Sequence, residues 1–174
     1  ARGILPPSDP LLVTPARSHA LKNADVVVVA GTPLDFRLSY GDFGDAQVIF
    51  VSDDPLASRQ AKAIRLTGDL VELVGILATN LTRPIGTQSW KDELHARSSV
   101  IRLSNQELMR TRGDLIHPAE IYGELIPRLT QSTITIGDGG DFVSFAGKFI
   151  EPERPGRWLD PGPFGALGTA MGYT

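Results

Sequence analysis

Gly137-Asp138-Gly139-Gly140-Asp141-Phe142 is the stretch whose residue types and spacing point most directly to chemistry. It follows the β-branched run Thr133-Ile134-Thr135-Ile136 and leads into Val143-Ser144-Phe145-Ala146, so the order reads strand, glycine turn, helix. A glycine turn that opens a helix aims unpaired backbone N–H groups and the positive end of the helix dipole at one point, and that point favours a phosphate. The stretch therefore predicts a bound diphosphate. By itself the same run also fits a tight strand-to-helix connection without a ligand, and only its neighbours decide between the two.

The elements that must position this turn form two α/β pieces. In the first, Asp25 precedes Val26-Val27-Val28-Val29-Ala30, which ends at Gly31-Thr32-Pro33. A continuous apolar run of that length, bounded by turn residues, predicts a strand buried on both faces of a parallel sheet. A helix is expected before it over Pro15 to Asn23, and a second strand over Gln47-Val48-Ile49-Phe50-Val51, ending in Ser52-Asp53-Asp54-Pro55. Gly68-Asp69 then opens a helix through about Leu77, with Asp69 suited to its cap. From Asn80 to Arg112 the pattern changes. Pro84, Gly86, Gln88 and Ser89 make a turn-prone stretch before the charged segment Trp90 to Arg97, which reads as a surface connection carrying a helix. The second piece starts at Ile116-His117-Pro118, where Pro118 suits a first helical position and Ile121, Leu125 and Leu129 supply helical spacing. Glu151 to Pro163 is rich in Pro and Gly and reads as largely loop. Strands alternating with helices give an α/β fold class with parallel sheets.

Composition narrows the classes of function. With 174 residues, 41% of them hydrophobic, the chain can bury a core, and its length suits one domain or two small ones. A net charge of −3 argues against a nucleic-acid surface. The absence of Cys removes disulfides, thiolate metal sites and thiol nucleophiles. No apolar run reaches the length of a membrane span and no signal-peptide pattern is present, so the expected setting is the cytoplasm, with no membrane partner. The chain opens on Ala1-Arg2-Gly3 and stops at Met171-Gly172-Tyr173-Thr174, which reads as a fragment. His19, His95 and His117 have no metal-ligand spacing, and none of them is assigned to catalysis. Arg154 and Arg157 flank the Pro-rich loop and read as solvated surface, with anion contact left open. Trp90 and Trp158 read as packing anchors.

The run from His117-Pro118 through Gly137 to Phe142, on to Arg157-Trp158-Leu159 and Phe164-Gly165-Ala166-Leu167-Gly168, resembles the start of the diphosphate-binding domain of thiamine diphosphate enzymes. The likeness is strongest to the acetolactate synthase large subunit and its relatives. Ala24-Asp25 before the Val-rich strand, Gly31-Thr32-Pro33-Leu34-Asp35-Phe36-Arg37, Ser52-Asp53-Asp54-Pro55 and Gly68-Asp69 resemble that family's central domain. On this resemblance residues 1–80 belong to a partial central domain of nucleotide-binding type, 81–115 form a linker, and 116–174 begin the thiamine diphosphate domain.

The resemblance implies roles residue by residue. Gly139, Gly140, Asp141 and Phe142 fall where the family's loop meets the cofactor diphosphate. Leu167 falls where a bulky apolar residue holds thiamine diphosphate bent, with Gly165 beside the aminopyrimidine. Bending brings the amino group to the carbon that must lose a proton, and proximity makes that transfer intramolecular. Mg²⁺ is implied, but its ligands, a Gly-Asp-Gly segment with a later Asn, would lie beyond Thr174, and the activating glutamate would come from an upstream domain. No catalytic or metal-ligating residue is therefore assigned within the chain, and Asp138, which precedes the diphosphate loop, is not made a metal ligand. Gly31, Thr32, Asp54 and Asp69 are the positions matching a flavin site, with Pro33 and Gly68 beside them. Two departures weaken FAD: Pro33 stands where the family usually has Arg, and Ser52 where it often has an acid.

The implied function is that of a transferase or lyase. Pyruvate is decarboxylated and its two-carbon unit passes to a second 2-oxo acid, in branched-chain amino-acid biosynthesis, within a homo-oligomer. The chain alone is expected to be inactive. Two alternatives remain: a flavin-free relative of the 2-hydroxyacyl-CoA lyase or oxalyl-CoA decarboxylase kind, and a non-catalytic nucleotide-binding module.

Overall fold

The computed structural model describes residues 2–54, 63–81 and 87–174. Pro55, Pro84 and Gly86, named above in turn-prone stretches, lie outside the described residues. By compactness the chain divides into two units, one of Arg17–Trp90 and one of Ala1–Ala16 with Lys91–Thr174.

The continuous unit holds α1 (Arg17–Asn23), preceded by a 3-10 turn at Thr14–Ala16, and then β1 (Val26–Ala30), β2 (Gln47–Ser52), β3 (Ile64–Thr67) and α2 (Leu70–Asn80). The three strands form one parallel sheet in the order β1-β2-β3. Val26 pairs with Gln47 and Ala30 with Val51, while Ile49 pairs with Ile64 and Ser52 with Thr67. Val27, Val29, Val48, Phe50 and Phe43 form its core, with Leu21, Leu34 and Leu38 packed against them.

Burial along β1 corrects the sequence expectation. The strand alternates, with Val27 and Val29 buried but Val26 and Val28 more than half exposed, so it is covered on one face. An apolar run without polar alternation cannot reveal which side an element covers. β3 was not predicted, because Arg65 and Thr67 interrupt any continuous apolar run. α2 begins where Gly68-Asp69 predicted and extends to Asn80.

Asp69 caps α2, its Oδ1 accepting the Glu72 N–H at 2.8 Å. Asp69→Ala is expected to lower the stability of the protein by about 1 kcal/mol, read as a shift in the urea midpoint with unchanged slope.

The second unit contains most of α3 (Gln88–Arg110), then α4 (Pro118–Leu125), β4 (Thr135–Ile136), α5 (Gly140–Phe149), β5 (Trp158–Leu159) and α6 (Ala170–Tyr173). α3 is the helix expected in the connection. Pro118 occupies the first turn of α4, and His117 caps it, Nδ1 accepting the Ala119 N–H at 3.1 Å. The helix predicted to reach Leu129 ends at Leu125 and gives way to a 3-10 turn, Ile126–Arg128, because Pro127 has no N–H for a helical bond.

β4 and β5 pair in parallel, Thr135 with Trp158 and Ile136 with Leu159. The 133–136 strand is thus shorter than predicted, and β5 is a two-residue strand within the stretch read as largely loop. Ala119, Tyr122, Ala146, Phe149 and Ile150 make the core, which joins α4 to α5. The N-terminal segment belongs here: Arg2 donates to the carbonyls of Gly147 at 2.8 Å and Ile150 at 3.3 Å, and its guanidinium lies 4.5 Å from the centre of the Trp158 ring.

Candidate cofactor site

The glycine turn leaves the carboxyl end of β4. Gly137 is still held by the sheet, its N–H donating to the Leu159 carbonyl at 2.9 Å. Gly139 then takes φ +82° and ψ −173°, backbone that is essentially open to glycine alone, and Gly140 is left-handed at φ +59°. Gly139 is the N-cap of the ten-residue helix α5, and no side chain caps that end. The first N–H groups of a helix have no partner within it, so the uncapped turn has the donor geometry of an anion cradle.

The chain returns to this cradle from the end of β5. A Cβ on Gly139 would stand 3.0 Å from Leu167 Cδ2, 3.2 Å from the Gly165 carbonyl oxygen and 3.3 Å from that of Ala166. On Gly140 it would stand 3.6 Å from Leu167 Cδ2. The structure therefore brings together Gly139, Gly140, Gly165 and Leu167, four positions predicted from sequence. Asp141 and Phe142 lie in the first turn of α5, exposed beside them. Leu167 is 75% exposed, so an apolar side chain stands in solvent next to a set of backbone donors.

Other residues fix this arrangement. Asp160 accepts from Trp158 Nε1 at 2.7 Å and from the Gly162 N–H at 2.8 Å, and its carbonyl accepts the Tyr173 hydroxyl at 3.0 Å. Tyr122 Oη donates to the Phe142 carbonyl at 3.0 Å, tying α4 to the start of α5. Asp138 accepts from the Ala170 N–H at 2.8 Å and from Thr169 Oγ1 at 3.3 Å. The Ala170 N–H, the largest influence, with further donors at Gly168 and Thr169, holds the Asp138 carboxyl below its ordinary value of 3.8. That contribution is complete above the ordinary value and is lost as the pH falls through the lowered one. Sequence reading gave Asp160 and Tyr122 no role. The Asp-Pro-Gly order at 160–162 is the signal that could have marked Asp160 as a turn former.

Arg154 and Arg157 do not reach the cradle. Arg154 donates to Gln131 Oε1 at 3.1 Å and Arg157 to the Ser132 carbonyl at 3.0 Å, at the amino end of the β4–β5 pair, whereas the glycine turn leaves the carboxyl end. Among the described residues no group of three His, Asp or Glu side chains could hold a metal ion.

The flavin positions group separately, at the carboxyl edge of the three-stranded sheet. Gly31 is left-handed, donates to the Val51 carbonyl at 3.0 Å, and has Leu70 Cδ2 2.6 Å from where a Cβ would lie. Gly68 donates to the Ser52 carbonyl at 3.1 Å and Asp54 to Ser52 Oγ at 3.0 Å. Gly31, Asp54 and Asp69 thus surround the ends of β1, β2 and β3, the edge where open parallel sheets bind ligands, and Thr32 follows in the loop after β1. In that loop Arg37 binds the Asp35 carboxylate through Nη2 at 2.6 Å and Nε at 3.0 Å, which holds the Asp35 carboxyl below its ordinary value. Ser39 and Tyr40, at φ 50° and 52°, are left-handed without being glycine, so the loop beyond this pair is strained. Ser52, at the position where the family often has an acid, is buried and spends its hydroxyl on the Asp54 N–H.

No protein-family model matches the chain. Among curated proteins it is similar over 99% of its length to an acetolactate synthase large subunit of Mycobacterium tuberculosis, with 39% identity over 180 residues that cover 32% of that protein. It is also similar over 99% of its length to 2-hydroxyacyl-CoA lyase 2 of Homo sapiens, with 33% identity over 184 residues and 29% of that protein covered. The same-named protein of Caenorhabditis elegans is 30% identical over 187 residues. The chain spans less than a third of the length of these relatives, and the resemblance to the acetolactate synthase large subunit extends over nearly all of it.

Proposed function

We propose that this chain is part of a thiamine diphosphate-dependent enzyme of the acetolactate synthase kind. Residues 1–80 would supply part of its central domain, 81–115 a linker, and 116–174 the first part of its cofactor domain. The observation that carries the reading is the approach of Leu167 into the space a Cβ on Gly139 or Gly140 would meet, which sets an uncapped helix start against an exposed apolar side chain. One end of such a site suits a diphosphate and the other an aromatic ring system.

The residues present fit that cofactor. Its thiazolium, when bound, supplies the carbanion chemistry by which a 2-oxo acid loses CO₂ and passes on the remaining carbons. The protein's part is placement. The N–H groups around Gly139, Gly140 and Asp141 would hold the diphosphate, Leu167 would support the bent cofactor, and Gly165 would leave room beside the aminopyrimidine. The Asp138 carboxylate is turned to Thr169 and Ala170, so its charge is met by protein donors. Mg²⁺, the activating glutamate and the partner subunits of a homo-oligomer would come from outside these residues. Pyruvate with a second 2-oxo acid is the proposed substrate pair, and branched-chain amino-acid biosynthesis the proposed setting. The carboxyl edge of β1–β3 is proposed for FAD.

The test is titration of the whole protein with thiamine diphosphate and Mg²⁺ by calorimetry, followed by an assay of acetolactate from pyruvate. Saturable cofactor binding and acetolactate formation are expected, and a yellow preparation would assign FAD to the carboxyl edge of β1–β3. Binding with 2-hydroxyacyl-CoA cleavage from a colourless preparation would assign the protein to the lyase group instead. Adenine-nucleotide binding without thiamine diphosphate binding would leave only a scaffold.

A further inference from the structure

A carboxylate within a phosphate-binding turn is a liability, because like charges at short range repel and are least screened where water is excluded. Asp138 sits between Gly137 and Gly139, at the centre of the turn. Its oxygen is committed elsewhere, to the Ala170 N–H and Thr169 Oγ1, more than thirty residues along the chain. Thr169 occupies the N-cap of α6 but makes no side-chain capping bond there, so the capping acceptor comes from Asp138. The next residue, Gly139, secures the same loop differently: its missing Cβ leaves the space in which Leu167 and the carbonyls of Gly165 and Ala166 approach.

The loop needs such fixing. Residues 163–168 are exposed, and Gly165 and Gly168 are both left-handed, at φ +59° and +82°. Glycine-rich backbone is costly to order. If the loop were free, cofactor binding would bear the cost of placing Leu167; a loop held beforehand removes that cost from the affinity.

We infer that Asp138 is a positioning residue for the cofactor site, its carboxylate latching the 165–170 loop onto the glycine turn so that Leu167 is set over Gly139 and Gly140 before the cofactor arrives. The inference rests on the thiamine diphosphate reading for what the loop serves. The latch itself is a property of the cofactor-free protein, and the two can be tested apart.

Asp138→Ala and Asp138→Asn are made in the whole protein. Hydrogen exchange of the 165–172 amides is measured without cofactor, and thiamine diphosphate affinity by calorimetry with Mg²⁺. In Asp138→Ala the loop amides should exchange faster, those of α5 should not change, and the cofactor dissociation constant should rise about tenfold. Asp138→Asn keeps an acceptor of the same shape without its charge and should fall between Asp138→Ala and the parent in both measurements. Unchanged loop exchange would overturn the latch. A loosened loop with parental affinity would overturn its positioning role. Failure of the parent protein to bind thiamine diphosphate would remove the cofactor reading while loop exchange still tests the latch. If Asp138→Ala does not fold, Asp138→Asn decides by the same two measurements.

Discussion

Gly139→Ala is expected to weaken thiamine diphosphate binding by an order of magnitude or more and to destabilise the protein by about 1–3 kcal/mol. Two effects act together. The native φ of +82° with ψ of −173° is a conformation that a residue bearing a Cβ holds only under strain. The added methyl would also stand 3.0–3.3 Å from Leu167 Cδ2 and two carbonyl oxygens. The Leu167 side chain can rotate away into solvent, but the carbonyls of Gly165 and Ala166 move only with the loop. The substitution therefore acts on the part of the site that faces the helix start. Gly140→Ala provides the contrast, since its Cβ would make ordinary contact at 3.6 Å and only the left-handed backbone is penalised, by about 1–2 kcal/mol. Calorimetric titration and urea unfolding of both variants separate the effects. The assignment of the turn to cofactor binding is lost if Gly139→Ala binds as tightly as the parent.

The legible parts of this fold were those whose cause is local in sequence. Asp69 and the pair His117-Pro118 announced helix starts because capping needs the right residue within three positions. The glycine turn was legible for the same reason. β3 and β5 were not, because a strand of four or two residues in a parallel pair exists through a neighbour distant in sequence, and its own pattern says little. The exposure of Val26 and Val28 escaped because a strand of valines reads alike whether one face or both are covered. In the candidate site Gly139, Gly140, Gly165 and Leu167 were named from the resemblance, and the structure brings them into one grouping. The Asp138 contact was not legible, since nothing near residue 138 indicates that its acceptor serves Ala170.

The second large effect is on the other unit. Phe50→Ala should cost about 3–5 kcal/mol, because the ring is 2% exposed on the central strand of the sheet, and its removal leaves a cavity among Val27, Val29, Val48 and Phe43. A loss of that size is a large share of the roughly 5–15 kcal/mol by which domains are stable. The two tryptophans make the effect observable, since Trp90 falls in the Arg17–Trp90 unit and Trp158 in the other. In a Trp158→Phe background, the fluorescence of Trp90 should report a urea midpoint moved well below that of the parent. Phe50→Leu should recover most of the difference, as a smaller change of volume. A loss for Phe50→Ala below about 1 kcal/mol would mean that the sheet is not held by this core.

The side chain of Arg2 has a bearing on how the protein comes into being. A ribosome delivers the chain from its amino end, and among the described residues every strand pair of the first sheet joins positions between Val26 and Thr67. That sheet can close while the rest is still being made. Arg2 cannot: its acceptors are the carbonyls of Gly147 and Ile150, and the ring beneath it belongs to Trp158. Arg2 thus emerges more than 140 residues before its partners, and it waits through the synthesis of the whole Arg17–Trp90 unit before docking against the helix that the glycine turn begins.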